Sequence, residues 1–134
     1  MKVVVDTNVL ISGIFFTGPP YEMLKAWRDG LFQIVVSPEI LEEYYGVAKR
    51  LVERFPSIDP TSILTLITTN SEIIQAPNLS TQVCEDPKDD KFLACALAGN
   101  VKLIISGDKH LLKISGYQGI SIITPSAFGD QYLV

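Results

Sequence analysis

Lys2 to Val5 is a short β-branched run with no polar face, a pattern that predicts a strand buried on both sides. Asp6-Thr7-Asn8 closes it and offers N-cap chemistry to a helix through Val9-Leu10-Ile11. Gly18-Pro19-Pro20 reads as a turn with proline suited to a first helical turn. Tyr21 to Arg28 follows with Met23, Leu24 and Trp27 at helical spacing, and Gly30 stops it. Leu31 to Val36 is a second strand. Ser37-Pro38-Glu39 then starts a helix, with Ser37 as cap, carrying Ile40, Leu41, Tyr44, Val47, Ala48 and Leu51 on one face. Beyond Pro56, the pattern predicts a helix over Pro60–Thr69, a strand over Glu72–Gln75 and a turn at Asp86-Pro87-Lys88. An apolar helix over Asp89–Gly99, a strand over Lys102–Ile105, a helical turn or two over Lys109–Ile114 and a last strand over Ile120–Ile123 complete it. Strands alternating with helices predict βαβ units and a parallel sheet. The fold class is α/β, with residues 1–134 read as one domain, without repeats or linkers.

Composition agrees with a packed globule: 134 residues, 47% hydrophobic and 19% charged. Met1-Lys2 leads straight into three valines and an aspartate, too short an apolar run for a signal peptide. No window has the ~18 apolar residues of a membrane span, so a cytoplasmic location is expected. Cys84 and Cys95 are expected not to pair there, and Cys95, in an apolar helix, reads as a small buried hydrophobe.

In an open parallel sheet, ligands bind outside the carboxyl ends of the strands. Acids stand at four such places. Asp6 follows the first strand directly, and Asp108 follows the fourth after Ser106-Gly107. Asp89 and Asp90 open the Phe92-Leu93-Ala94 helix, and Glu43 lies about one and a half turns beyond Ser37. Each has a plain structural explanation. An aspartate after a strand is often a helix cap worth roughly 1 kcal/mol, and acids are favoured in a first helical turn. Glu43, however, borders the apolar face of its helix, whereas Glu42 is free to point into water.

If the first and fourth strands are neighbours at the switch point, Asp6 and Asp108 approach each other, and carboxylates that close repel unless a cation intervenes. Mg²⁺ and Mn²⁺ favour such oxygen donors, and the chemistry they support is metal-assisted displacement at phosphorus. There is no cysteine–histidine spacing for zinc. The sole histidine, His110, offers no serine–histidine arrangement and reads as a partly exposed residue on a short helix. A net charge of −4 first argues against a nucleic-acid partner. Setting aside Asp6, Glu43, Asp89, Asp90 and Asp108 leaves ten acids against 11 bases, so the balance decides nothing.

Four segments resemble, in order, the motifs of PIN domains, the PilT N-terminus nucleases. They are Val4-Val5-Asp6-Thr7-Asn8-Val9-Leu10, Ser37-Pro38-Glu39-Ile40-Leu41-Glu42-Glu43-Tyr44, Asp86-Pro87-Lys88-Asp89-Asp90-Lys91-Phe92-Leu93-Ala94 and Ile104-Ile105-Ser106-Gly107-Asp108-Lys109-His110-Leu111-Leu112. They span essentially the whole chain and are most similar to the stand-alone, VapC-like toxin components of toxin–antitoxin systems. The resemblance implies a three-layer α/β/α sandwich with a five-stranded parallel sheet. It also implies Mg²⁺- or Mn²⁺-dependent endonucleolytic cleavage of RNA, homodimers and a small antitoxin that blocks the site. By position it makes Asp6, Glu43 and Asp108 metal ligands and Asn8 and Ser106 polar supports; threonine is common where Ser106 stands. The third acid is Asp90 by its spacing to Leu93-Ala94 or Asp89 by the Asp86-Pro87-x-Asp89 spacing, with Asp86 a weaker candidate. His110 stands where an acid is common. Lys88, Lys91 and Lys109 flank the acids and are candidates for holding phosphates, or simply solvated surface.

Two other classes compete. Receiver domains and aspartyl phosphatases also place acids at the carboxyl edge of a parallel sheet. Receivers need an acidic pair after the first strand and a lysine after the fifth, and the phosphatases want a second aspartate where this chain has Asn8. The alternative is a catalytically weak or inactive RNA- or protein-binding module on the same fold. Retention of every acid argues against it, because buried carboxylates are costly without a counter-charge.

Overall fold

Val3, Val4 and Val5 have no exposed surface, so β1 (Lys2–Val5) is buried on both faces. The structure, a computed structural model, describes residues 1–133. After β1 come α1 (Thr7–Phe15), α2 (Pro19–Arg28) and β2 (Gln33–Val36), then α3 (Pro38–Arg54), α4 (Thr61–Asn70) and β3 (Glu72–Ile73). A 3₁₀ turn (Pro87–Asp89) runs into α5 (Asp90–Ala98) and β4 (Leu103–Ile105). The chain continues through α6 (Lys109–Leu112) and β5 (Ser121–Ile123) to α7 (Pro125–Tyr132).

The strands form one parallel sheet in the order β3-β2-β1-β4-β5. From β1 the chain steps outward through β2 to β3, then crosses back to β4 and β5 on the other side. Right-handed crossovers therefore put the crossover helices of the two halves on opposite faces, the three-layer arrangement expected above. α5 packs on β1, β2 and β4, and α2 packs on α1 and α7. The reversal falls between β1 and β4, which pair in register Val4↔Ile104 and Val5↔Ile105. Their carboxyl ends are thus adjacent, the condition on which the convergence of Asp6 and Asp108 depends.

Element boundaries differ from the sequence pattern for local reasons. β2 begins at Gln33 rather than Leu31 because residues 30 and 31 cap α2. Leu31 N donates to Ala26 O and Gly30 N to Trp27 O, with Gly30 at φ 83°. α5 ends in the same motif, where the left-handed residue is Asn100 and not the adjacent glycine. Gly99 serves close approach instead. A Cβ there would lie 2.9 Å from Ile74 Cδ1 and 3.2 Å from Val35 Cγ1. β3 is an edge strand that stops at Ile73, with one further bond from Ile74 N to Val36 O, because its partner β2 ends at Val36. The pattern predicted nothing beyond Ile123, yet α7 follows. Thr124 Oγ1 accepts from Ala127 N and Pro125 takes the first turn, repeating the chemistry of Ser37-Pro38. Cys84 and Cys95 are both free and buried. Among the described residues no helix is long and apolar enough to cross a membrane.

Candidate functional site

Asp6 stands at the N-cap position of α1, but its side chain does not cap. Val9 N and Leu10 N both donate to the Asp6 backbone carbonyl, and Asp6 N extends the sheet by donating to Ile105 O at 2.9 Å. The carboxylate turns instead toward the end of β4, where the fully buried Ser106 Oγ donates to Asp6 Oδ2 at 2.7 Å. That same Oγ accepts from Asp108 N at 3.0 Å, so one hydroxyl ties the two strand ends together. Asp6 is only 6% exposed. Burial raises its pKa above the ordinary carboxylate range, the Ser106 hydrogen bond opposes the rise, and the charges of Asp108 and Glu43 add to it. Asp108 does both jobs at once: it caps α6 by accepting from His110 N at 2.9 Å and it repels Asp6.

Glu43 reaches the cluster from α3, whose start is fixed by Ile40 N donating to Ser37 Oγ. Two contacts pin this helix to the β1–α1 junction. The buried Tyr44 hydroxyl donates to Val5 O at 2.5 Å, and Thr7 Oγ1 donates to Glu43 Oε2. The other Glu43 oxygen, Oε1, lies 2.7 Å from Lys91 Nζ. Glu43 is half-buried, whereas Glu42 is exposed.

Asp89 and Asp90 have different surroundings. Asp86 caps the 3₁₀ turn by accepting from Lys88 N, and this turn carries Asp89 to the edge of the cluster. The Asp89 carboxyl is pushed up to about 6, first by burial and then by Asp6, Asp86, Asp108 and Glu43. The Asp90 carboxylate faces the preceding loop, where it accepts from Cys84 N at 2.7 Å and from Val83 N at 3.2 Å. The fold therefore brings Asp6, Glu43, Asp89 and Asp108 within electrostatic reach of one another and engages Asp90 elsewhere.

Oxygen-only donors whose charges gather around Asp6 and Asp89 suit a hard divalent cation. As the side chains stand, no group of three or more His, Cys, Asp or Glu among the described residues is arranged to hold one. Lys91 already takes up one Glu43 oxygen. A groove of about 790 Å³ flanks the cluster on the side of Glu43, Arg50, Lys88 and Lys91. Another, of about 680 Å³, lies on the side of the exposed Asn8, with Asp108, Lys109 and His110. His110 Nδ1 pairs with Glu85 at 2.7 Å on the surface.

A sequence model of the PIN domain matches residues 2–110. The chain belongs to the PIN-domain family. The match spans every acid described above and ends before β5 and α7. No curated protein matches the sequence. Among solved structures, the PIN domain superposes on a chain of VapBC2 from Rickettsia felis, solved bound to a DNA fragment from their promoter. The TM-score is 0.60 at 18% identity, over 92% of this chain and 98% of that one. At that identity the likeness is one of fold. Three residues with a place in this PIN domain's site escaped the sequence reading in the roles they hold: Thr7, Tyr44 and Lys91. Their partners lie 36, 39 and 48 residues away in the chain, beyond any local spacing rule.

Proposed function

We propose that residues 1–134 act as one PIN-like nuclease domain, a Mg²⁺- or Mn²⁺-dependent endoribonuclease that hydrolyses RNA phosphodiesters. The buried Asp6 carboxylate carries this reading. It caps no helix, lies 2.7 Å from Ser106 Oγ and is held among Asp108 and Glu43, whose charges it feels. Burying that repulsion without function is costly. Family membership supports the same chemistry.

In this account Asp6, Glu43, Asp89 and Asp108 would hold the ion. When bound, it supplies charge neutralisation and Lewis-acid activation for attack at phosphorus. Ser106 orients Asp6 and spaces it from Asp108, and Thr7 orients Glu43. Asn8 lies exposed at the rim beside Asp108, suited to contact a substrate strand. Lys88 and Lys109, one in each groove, stand where phosphates on either side of the scissile bond would pass. Asp90 serves the site indirectly, by fixing residues 83 and 84.

We further propose a toxin role paired with a small antitoxin protein, in keeping with the fold shared with a VapBC2 chain, and a homodimer in the cytoplasm. End-labelled RNA incubated with the purified protein tests the activity. Endonucleolytic fragments are expected with Mn²⁺ or Mg²⁺ and none with EDTA. Tight RNA binding without cleavage in either metal would point instead to a non-catalytic module.

A further inference from the structure

Lys91 lies in the first turn of α5, two residues past Asp89, with its ammonium 2.7 Å from Glu43 Oε1. The pair is half-buried, the two side chains being 22% and 28% exposed. Thr7 holds the other carboxylate oxygen. Both Glu43 oxygens thus have partners supplied by the chain, and any cation that binds Oε1 meets the Lys91 ammonium there. A divalent ion bound by oxygen at ~2.0–2.6 Å and an ammonium at 2.7 Å compete for one atom, and the two cations also repel each other. The lysine has somewhere to go: its flexible stem lines the groove of about 790 Å³ that also holds Lys88 and Arg50.

We propose that Lys91 is a built-in counter-cation, which neutralises Glu43 in the metal-free protein and, displaced by the incoming ion, turns into the groove to take a substrate phosphate. It is a positioning residue in the metal-free state and a phosphate contact only afterwards. This rests on the metal-dependent reading above. One side chain would then enforce an order, metal before RNA.

Lys91→Met keeps the length of the side chain and removes its charge; Lys91→Arg keeps the charge. Isothermal titration with Mn²⁺, without RNA, reads the first step. A partly exposed ion pair worth up to ~1 kcal/mol predicts Mn²⁺ affinity tightened about two- to five-fold in Lys91→Met and near wild type in Lys91→Arg. RNA cleavage reads the second step, with KM raised in Lys91→Met and kcat changed less. Unchanged or weaker Mn²⁺ binding in Lys91→Met, with wild type binding normally, overturns the counter-cation role alone. A wild-type protein that binds no Mn²⁺ overturns the metal-dependent reading and the role of Lys91 together.

Discussion

Asp89 and Asp90 are adjacent in sequence and opposite in circumstance. Asp90 spends its carboxylate on two backbone amides of the preceding loop, while Asp89 faces like charges with a carboxyl pushed up to about 6. Their substitutions should therefore separate. Asp90→Asn weakens the acceptor of the Cys84 and Val83 amides and should cost about 1–3 kcal/mol in urea unfolding. Asp89→Asn relieves repulsion, so the metal-free protein should unfold no earlier than wild type while Mn²⁺ binding and RNA cleavage collapse. The reverse pattern would make Asp90 the third ligand. Sequence spacing left these two open because it records distance along the helix, and what distinguishes them is the loop at residues 83 and 84. Asp6 shows the same limit from the other side. Its position after a strand is that of a helix cap, and only the β1–β4 pairing reveals that its carboxylate goes to Ser106.

At the scale of elements, β1, β2 and β4 were legible in their buried aliphatic runs, and most helices in their caps and apolar spacing. The helix after β5 went unpredicted, although its signal, the Thr124-Pro125 pair that repeats Ser37-Pro38, stands in the sequence. The coupling of α3 to β1 was not legible. Tyr44 reads as one more apolar position on the helix face, yet its hydroxyl donates to Val5 O and sets the height at which its neighbour Glu43 meets Thr7. Tyr44→Phe retains the ring and deletes that bond. It should lower stability by about 0.5–1.5 kcal/mol and reduce kcat several-fold as Glu43 loses its register, checked by urea unfolding alongside cleavage assays. Loss of stability with kcat intact would separate the packing of α3 from the site.

For the whole molecule, the sheet gathers acids at one edge, and the consequence is a pH signature. The raised pKa values of Asp6 and Asp89 mean that the folded state keeps protons which the unfolded chain has released. Metal-free stability should therefore fall as pH rises from the ordinary carboxylate range to about 6, with the full penalty present above it. A cation removes that penalty by binding the ionised acids. The Mn²⁺-induced rise in Tm should accordingly be larger at pH 7.5 than at pH 5, and smaller at both in Asp89→Asn. An equal rise at both pH values would mean that the ion binds away from these carboxylates.

The most direct measurement is metal-dependent RNA cleavage by Asp6→Asn beside wild type, with Tm recorded on both. Asparagine keeps the shape and an acceptor for Ser106 but removes the charge at the centre of the cluster. A metal site centred on Asp6 requires cleavage lost by a factor of 100 or more, on the order of what a group acting in the transition state supplies, with Tm unchanged or higher. Cleavage at the wild-type rate in a folded Asp6→Asn protein would contradict it.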